Sequence, residues 1–152
     1  DIVFLDTNIL LTATDASRPG HSKARSIFTL ALDTGFHLAV SGQVIREYLV
    51  VATRATDENG LGLSPDDAVT NSETFLRRTV LLEESDEVAA YLAEMVRRFN
   101  LHGKRINDAN IAATMAIHSV RSLITENPAD FSRFGEVSVI DPGSLTSSNT
   151  QD

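Results

Sequence analysis

Four carboxylates stand at places in this chain where they could do chemistry. Asp6 ends the apolar run Ile2-Val3-Phe4-Leu5, and Glu47 lies among core-facing helical positions, an unusual place for an acid. Asp108 follows the Lys104-Arg105 pair, and Asp130 follows the run Leu123-Ile124-Thr125. Carboxylates gathered in one pocket repel, so they must take up protons or cations. Oxygen-only ligation suits the hard cations Mg²⁺ and Mn²⁺ better than zinc. A cation held in this way orients a phosphodiester, lowers the pKa of a bound water and stabilises the departing oxygen. The chemistry implied is metal-assisted phosphoryl transfer. The plainer reading makes Asp6 and Asp108 helix caps and pairs Glu47 with an arginine.

The elements that must position these acids alternate between strand and helix. Ile2–Leu5 is apolar on both parities, as in a strand buried on both faces of a parallel sheet. From His21, the residues Ala24, Ile27, Phe28, Ala31 and Leu32 recur at helical spacing, with Gly35 as the stop. Phe36–Val40 is expected to be a strand. Ser41 is then expected to cap a helix that buries Val44, Ile45, Tyr48, Leu49 and Ala52. Residues 57–63 form a linker, and Ser64-Pro65-Asp66-Asp67 opens a helix burying Ala68, Val69, Phe75 and Leu76. Val80–Leu82 is a strand, and Ser85 caps a helix expected to end at Gly103. A helix from Asp108 to His118, a strand at Leu123–Thr125 and a strand at Val137–Ile140 complete the pattern. Alternating strands and helices call for a parallel α/β sheet. Sites in such sheets form at the C-terminal strand ends, where Asp6 and Asp130 fall.

Composition narrows the classes. The 152 residues suit one domain, and 42% hydrophobic residues suffice for a core. The absence of cysteine excludes disulfides, thiolate metal sites and a cysteine nucleophile. Thirteen Lys+Arg against twenty-one Asp+Glu give a net charge of −8, which argues against coating nucleic acid through net charge. An acidic centre that holds cations remains compatible with that balance. The four histidines show no paired metal spacing, and Gly60 and Gly62 read as turn residues rather than a phosphate loop. No apolar run approaches a membrane span, so a soluble, cytoplasmic protein is expected. The chain opens on Asp1 rather than Met, which leaves room for a segment upstream.

Four segments in order carry a resemblance: Ile2-Val3-Phe4-Leu5-Asp6-Thr7-Asn8, Arg46-Glu47-Tyr48-Leu49, Asn107-Asp108-Ala109-Asn110-Ile111-Ala112-Ala113-Thr114, and Leu123-Ile124-Thr125-Glu126-Asn127-Pro128-Ala129-Asp130-Phe131. They resemble the successive motifs of the PIN-domain nucleases. Their spacing is similar to that of the VapC-type toxins of bacterial and archaeal toxin–antitoxin pairs. The resemblance runs from Ile2 to Ile140. It implies a three-layer α/β domain over residues 1–142, with a central parallel sheet of about five strands flanked by helices and a polar tail at 143–152. It further implies an Mg²⁺- or Mn²⁺-dependent endoribonuclease with Asp6, Glu47, Asp108 and Asp130 as catalytic and metal-binding acids. Asp130 is preferred as the fourth because Asp130-Phe131 followed by Arg133-Phe134 resembles the family's segment, with Glu126 as the alternative. Thr7, Asn8, Thr125 and Asn127 are expected to hydrogen-bond around these acids, and Arg46, Lys104 and Arg105 to hold RNA phosphates. The partners implied are RNA, a cognate antitoxin and a second copy of the chain, with no membrane. The helices after Ser41 and Ser64 are the expected antitoxin groove. A PIN ribonuclease of RNA maturation or decay, or an inactive binding module of the same fold, are the alternatives.

Overall fold

The computed structural model describes residues 1–147. Its centre is a five-stranded parallel sheet in the order β3-β2-β1-β4-β5, built from β1 (Ile2–Leu5), β2 (His37–Ser41), β3 (Val80–Leu82), β4 (Ser122–Ile124) and β5 (Ser138–Val139). The middle strand is the one that is apolar on both parities: Val3, Phe4 and Leu5 are all buried. Helices α1 (Thr7–Thr14), α2 (His21–Thr34), α3 (Gly42–Thr53), α4 (Pro65–Arg77), α5 (Asp86–Phe99), α6 (Arg105–Ile117) and α7 (Ser144–Ser147) flank the sheet. From β1 the chain moves outward to β2 and then β3 on one side, and α6 returns it to β4 on the other. The order therefore reverses between β1 and β4. A crevice opens beyond the strand ends at such a reversal.

Register places two polar residues at that crevice. Leu5 pairs with Ile124, so the next residues, Asp6 and Thr125, emerge side by side. Helix termini follow local chemistry. Ser64 Oγ accepts the Asp67 N–H at 3.1 Å and Ser85 Oγ accepts the Val88 N–H at 3.4 Å, each satisfying an otherwise orphaned donor.

Several elements depart from the sequence expectations. Helix α1 has no periodic signal, because Ile9, Leu10, Leu11 and Thr12 are buried almost all round. It forms because Asp6 caps it and the sheet and helices enclose it. Helix α5 stops at Phe99 rather than Gly103, with Asn100 in the left-handed conformation at φ 52°. Helix α6 begins at Arg105, so Asp108 lies inside its first turn and is not its cap. Ser41 occupies the α3 cap position, yet its Oγ is buried without a partner, and Glu84 Oε2 takes the Gln43 N–H instead at 2.9 Å. Leu32 and Val69 are 73% and 44% exposed, on the outer faces of their helices rather than in the core. Within the expected polar tail, Ser144–Ser147 is helical, and Leu145 is 2% exposed and packs in the core. Residues 148–152 lie outside the described residues. Among the described residues no helix is long and apolar enough to cross a membrane.

Candidate active site

Asp6 closes β1 and caps α1, and it is only 9% exposed. Its Oδ1 accepts the Thr7 N–H at 2.8 Å, and its Oδ2 accepts the Thr125 hydroxyl at 2.7 Å and the Asn8 amide at 3.4 Å. Burial raises the Asp6 pKa, the bonds from Thr125 and Thr7 pull it back, and the charges of Glu47 and Asp130 raise it further. Thr7 also donates from Oγ1 to Glu47 Oε2 at 2.9 Å, which ties the second acid to the first. Thr125 Oγ1 in turn accepts the Asn127 N–H at 3.1 Å and lies 3.4 Å from the Asn8 amide.

Asp108 reaches the same region from the first turn of α6. Its carboxyl is pushed up to about 6, first by burial, then by the charges of Asp130, Asp6 and Glu47, while Arg105 acts in the opposite sense. The four acids expected to meet are therefore within electrostatic reach of one another. Glu126 is engaged elsewhere: its Oε1 accepts the Thr12 hydroxyl and its N–H bonds Asn8 Oδ1. The charge of Asp130, by contrast, acts on both Asp6 and Asp108. Asp6 does cap a helix, but Asp108 does not, and no arginine pairs with Glu47: among the described residues the only ion pairs are Arg18–Asp15 and Lys23–Asp141.

Thr7, Asn8 and Thr125 bond the acids or one another, whereas Asn127 reaches the cluster through its backbone N–H. Lys104 and Arg105 open α6 beside Asp108 and are exposed. Arg46 lines an apolar cleft between α3 and α4. The sequence reading missed Gln43, whose buried amide donates to Glu47 Oε1 at 2.9 Å. Its position four residues before Glu47 puts both on one helical face, and that spacing was the available signal.

Among the described residues, no group of three or more His, Cys, Asp or Glu side chains is drawn together closely enough to hold a metal ion as it stands. The donor set nonetheless fits a hard cation. It is all oxygen, and two of its acids carry raised pKa values, through burial first and then through the charges of the neighbouring acids. Like charges without a counterion hold apart, and a cation would draw them inward.

Fold and site together define the class: a doubly wound parallel α/β domain with an acidic centre at the point where its strand order reverses. Its family is the PIN domain, whose model matches residues 3–137, and this chain belongs to it. No individually curated protein matches it. Among solved structures it is similar to VapBC2 from Rickettsia felis bound to a DNA fragment from their promoter, at 19% identity and a TM-score of 0.67, covering 92% of this chain and 98% of that one. VapBC-1 from nontypeable Haemophilus influenzae matches at 19% identity and a TM-score of 0.67, covering 94% and 99%. VapC20 from Mycobacterium tuberculosis, a toxin that cleaves the sarcin–ricin loop, matches at 14% identity and a TM-score of 0.62, covering 97% and 95%. At these identities the likeness is one of fold.

Proposed function

We propose that this PIN domain is a divalent-metal-dependent endoribonuclease, the toxin of a toxin–antitoxin pair acting in the cytoplasm. The observation that carries the reading is that Thr7 bonds both Asp6 and Glu47, at 2.8 and 2.9 Å, while the charges of Asp130, Asp6 and Glu47 all bear on Asp108. The similar fold of a toxin that cleaves the sarcin–ricin loop supports RNA as substrate, and the VapBC pairs support an antitoxin partner.

In this reading Asp6, Asp108, Asp130 and Glu47 would hold Mg²⁺ or Mn²⁺, and the cation would supply Lewis acidity and activate water for hydrolysis of a phosphodiester. The chain's own residues do the rest. Thr125 and Thr7 hold Asp6 in one rotamer, and Thr7 and Gln43 hold the two oxygens of Glu47. Arg105 and Lys104 stand beside Asp108, where their charge offsets the repulsion an RNA backbone meets on approaching four acids. The carboxylate of Asp108 or Asp130 would take up the proton released in hydrolysis.

The apolar cleft of about 540 Å³ between α3 and α4, lined by Ile45, Leu49, Val50 and Val69, supports a protein-docking surface beside the site. An antitoxin lying there inhibits by placing a basic side chain among the acids, where it substitutes for the metal's charge. The chain also pairs with a second copy of itself.

Expression in a bacterial host tests the function. Growth should arrest, recover when the gene encoded beside it is co-expressed, and continue unimpeded with Asp6→Asn. Arrest by the Asp6→Asn variant equal to that by wild type refutes a nuclease toxin.

A further inference from the structure

Gln43 is an uncharged residue whose side-chain amide makes three hydrogen bonds, two as donor and one as acceptor. It is 1% exposed, in the first turn of α3, four residues before Glu47. Its Nε2 donates to Glu47 Oε1 at 2.9 Å and to the Asn107 carbonyl at 2.9 Å. Its Oε1 accepts from Asn110 Nδ2 at 2.6 Å. Asn107 and Asn110 flank Asp108 on α6. One amide therefore spans the gap between the helix that carries Glu47 and the helix that carries Asp108.

The amide is also locked in orientation. A flip would set Oε1 against a carboxylate and a carbonyl, and would turn the NH₂ onto the Asn110 amide, donor against donor. Asn110 is held from behind, because its Nδ2 also donates to Glu84 Oε1 at 2.7 Å. The other oxygen of Glu84 takes the Gln43 backbone N–H at 2.9 Å. This second bond is the one that Ser41 leaves unmade. Glu84 thus fixes both the main chain and, through Asn110, the side chain of Gln43.

We infer that Gln43 is a positioning residue of this acidic site: its buried amide, clamped by Asn110 and Glu84, sets the placement of Glu47 relative to Asp108 and so the site's affinity for a divalent cation. The inference rests on the metal reading proposed above. Thr7 secures Glu47 Oε2 to the start of α1, and Gln43 secures Oε1 to α6. With both bonds made, Glu47 has no rotamer left to choose when a cation arrives. Groups that orient metal ligands in this way are commonly worth roughly 10–100-fold in metal affinity.

The test is titration of the full chain with Mn²⁺ alone, followed by the electron paramagnetic resonance of free Mn²⁺, without RNA. Gln43→Leu keeps the size and burial and removes all three side-chain bonds. Its dissociation constant for Mn²⁺ should rise roughly 10-fold or more. Asn110→Ala leaves Gln43 in place but unlocks it, and should produce a smaller rise in the same direction. Ile27→Val, a core truncation in α2, a helix that makes none of these bonds, controls for destabilisation and should bind Mn²⁺ as wild type does. In RNA cleavage, Gln43→Leu should lower kcat at limiting Mn²⁺ and recover at saturating Mn²⁺, with KM for RNA unchanged. Wild-type Mn²⁺ affinity in both Gln43→Leu and Asn110→Ala overturns the inference and leaves the metal reading standing. Should Gln43→Leu not fold, wild-type affinity in Asn110→Ala alone overturns it. Failure of the wild-type chain to bind Mn²⁺ at all overturns the metal reading and this inference with it.

Discussion

Replacing Asp108 with asparagine should make the metal-free protein more stable at neutral pH, although it removes a central acid of the site. The carboxyl is pushed up from 3.8 to about 6, by burial first and then by Asp130, Asp6 and Glu47. Two pKa units correspond to a ceiling of about 3 kcal/mol. The side chain is partly in solvent, which screens much of that, and an acid in the first turn of α6 also gains about 0.5 kcal/mol from the helix dipole. The net gain expected for Asp108→Asn is therefore about 1 kcal/mol. The sign with pH follows from the direction of the shift. A carboxyl whose pKa is raised on folding costs stability above the folded value, and the cost fades as pH falls toward the unfolded value. The advantage of the variant should be full at neutral pH, shrink between about 6 and 3.8, and vanish below 3.8. Urea unfolding of both proteins in a metal chelator, repeated across that range, measures it. Equal or lower stability of the variant at neutral pH, or an advantage that does not change with pH, refutes the reasoning.

Three further outcomes are expected. Asp130→Asn should weaken Mn²⁺-dependent cleavage more than Glu126→Gln, because Asp130 acts on both Asp6 and Asp108 while Glu126 is bound to Thr12; activity against Mn²⁺ concentration ranks the two, and the reverse order moves the fourth acid to Glu126. Thr125→Val should destabilise the protein by about 2 kcal/mol at neutral pH, because a buried hydroxyl-to-carboxylate bond is lost and Asp6 Oδ2 keeps only the longer contact from Asn8; urea unfolding reads it, and a neutral effect would show that the bond adds nothing. Sedimentation of the isolated chain at micromolar concentration should show a dimer, and a strictly monomeric species contradicts self-association.

The parts of this molecule legible in the sequence were those with a local signature. Ile2–Leu5 reads as a central strand because three successive buried residues suit a strand covered on both faces. Ser64-Pro65-Asp66-Asp67 reads as a helix start because capping chemistry is confined to a few residues. Asp6 stood out because a polar residue directly after a buried strand falls at a parallel sheet's functional edge. Helix α1 was not legible, since a segment enclosed on nearly all sides loses the alternation that marks an amphipathic helix. The start of α6 was misplaced because Asp108 resembles a cap, whereas the chain turns helical three residues earlier. Asn110 and Glu84 were invisible for a different reason: the bonds that join them to each other and to Gln43 span 26 to 67 positions, and spacing along the chain carries no trace of them. Ser41 shows the same limit from the other side. Its type and position suit a cap, but a distant glutamate had already taken the donor.

Four carboxylates at the crevice between β1 and β4 are proposed to cut RNA with the help of a divalent cation. The most direct measurement incubates the purified chain with total RNA, with Mg²⁺ or Mn²⁺ and with chelator, and maps the new ends. Wild type should produce discrete new ends only with the cation present, and Asp6→Asn and Asp108→Asn, both folded, should produce none. Cleavage that persists in chelator, or wild-type cleavage by either folded variant, would contradict metal-dependent cleavage at these acids.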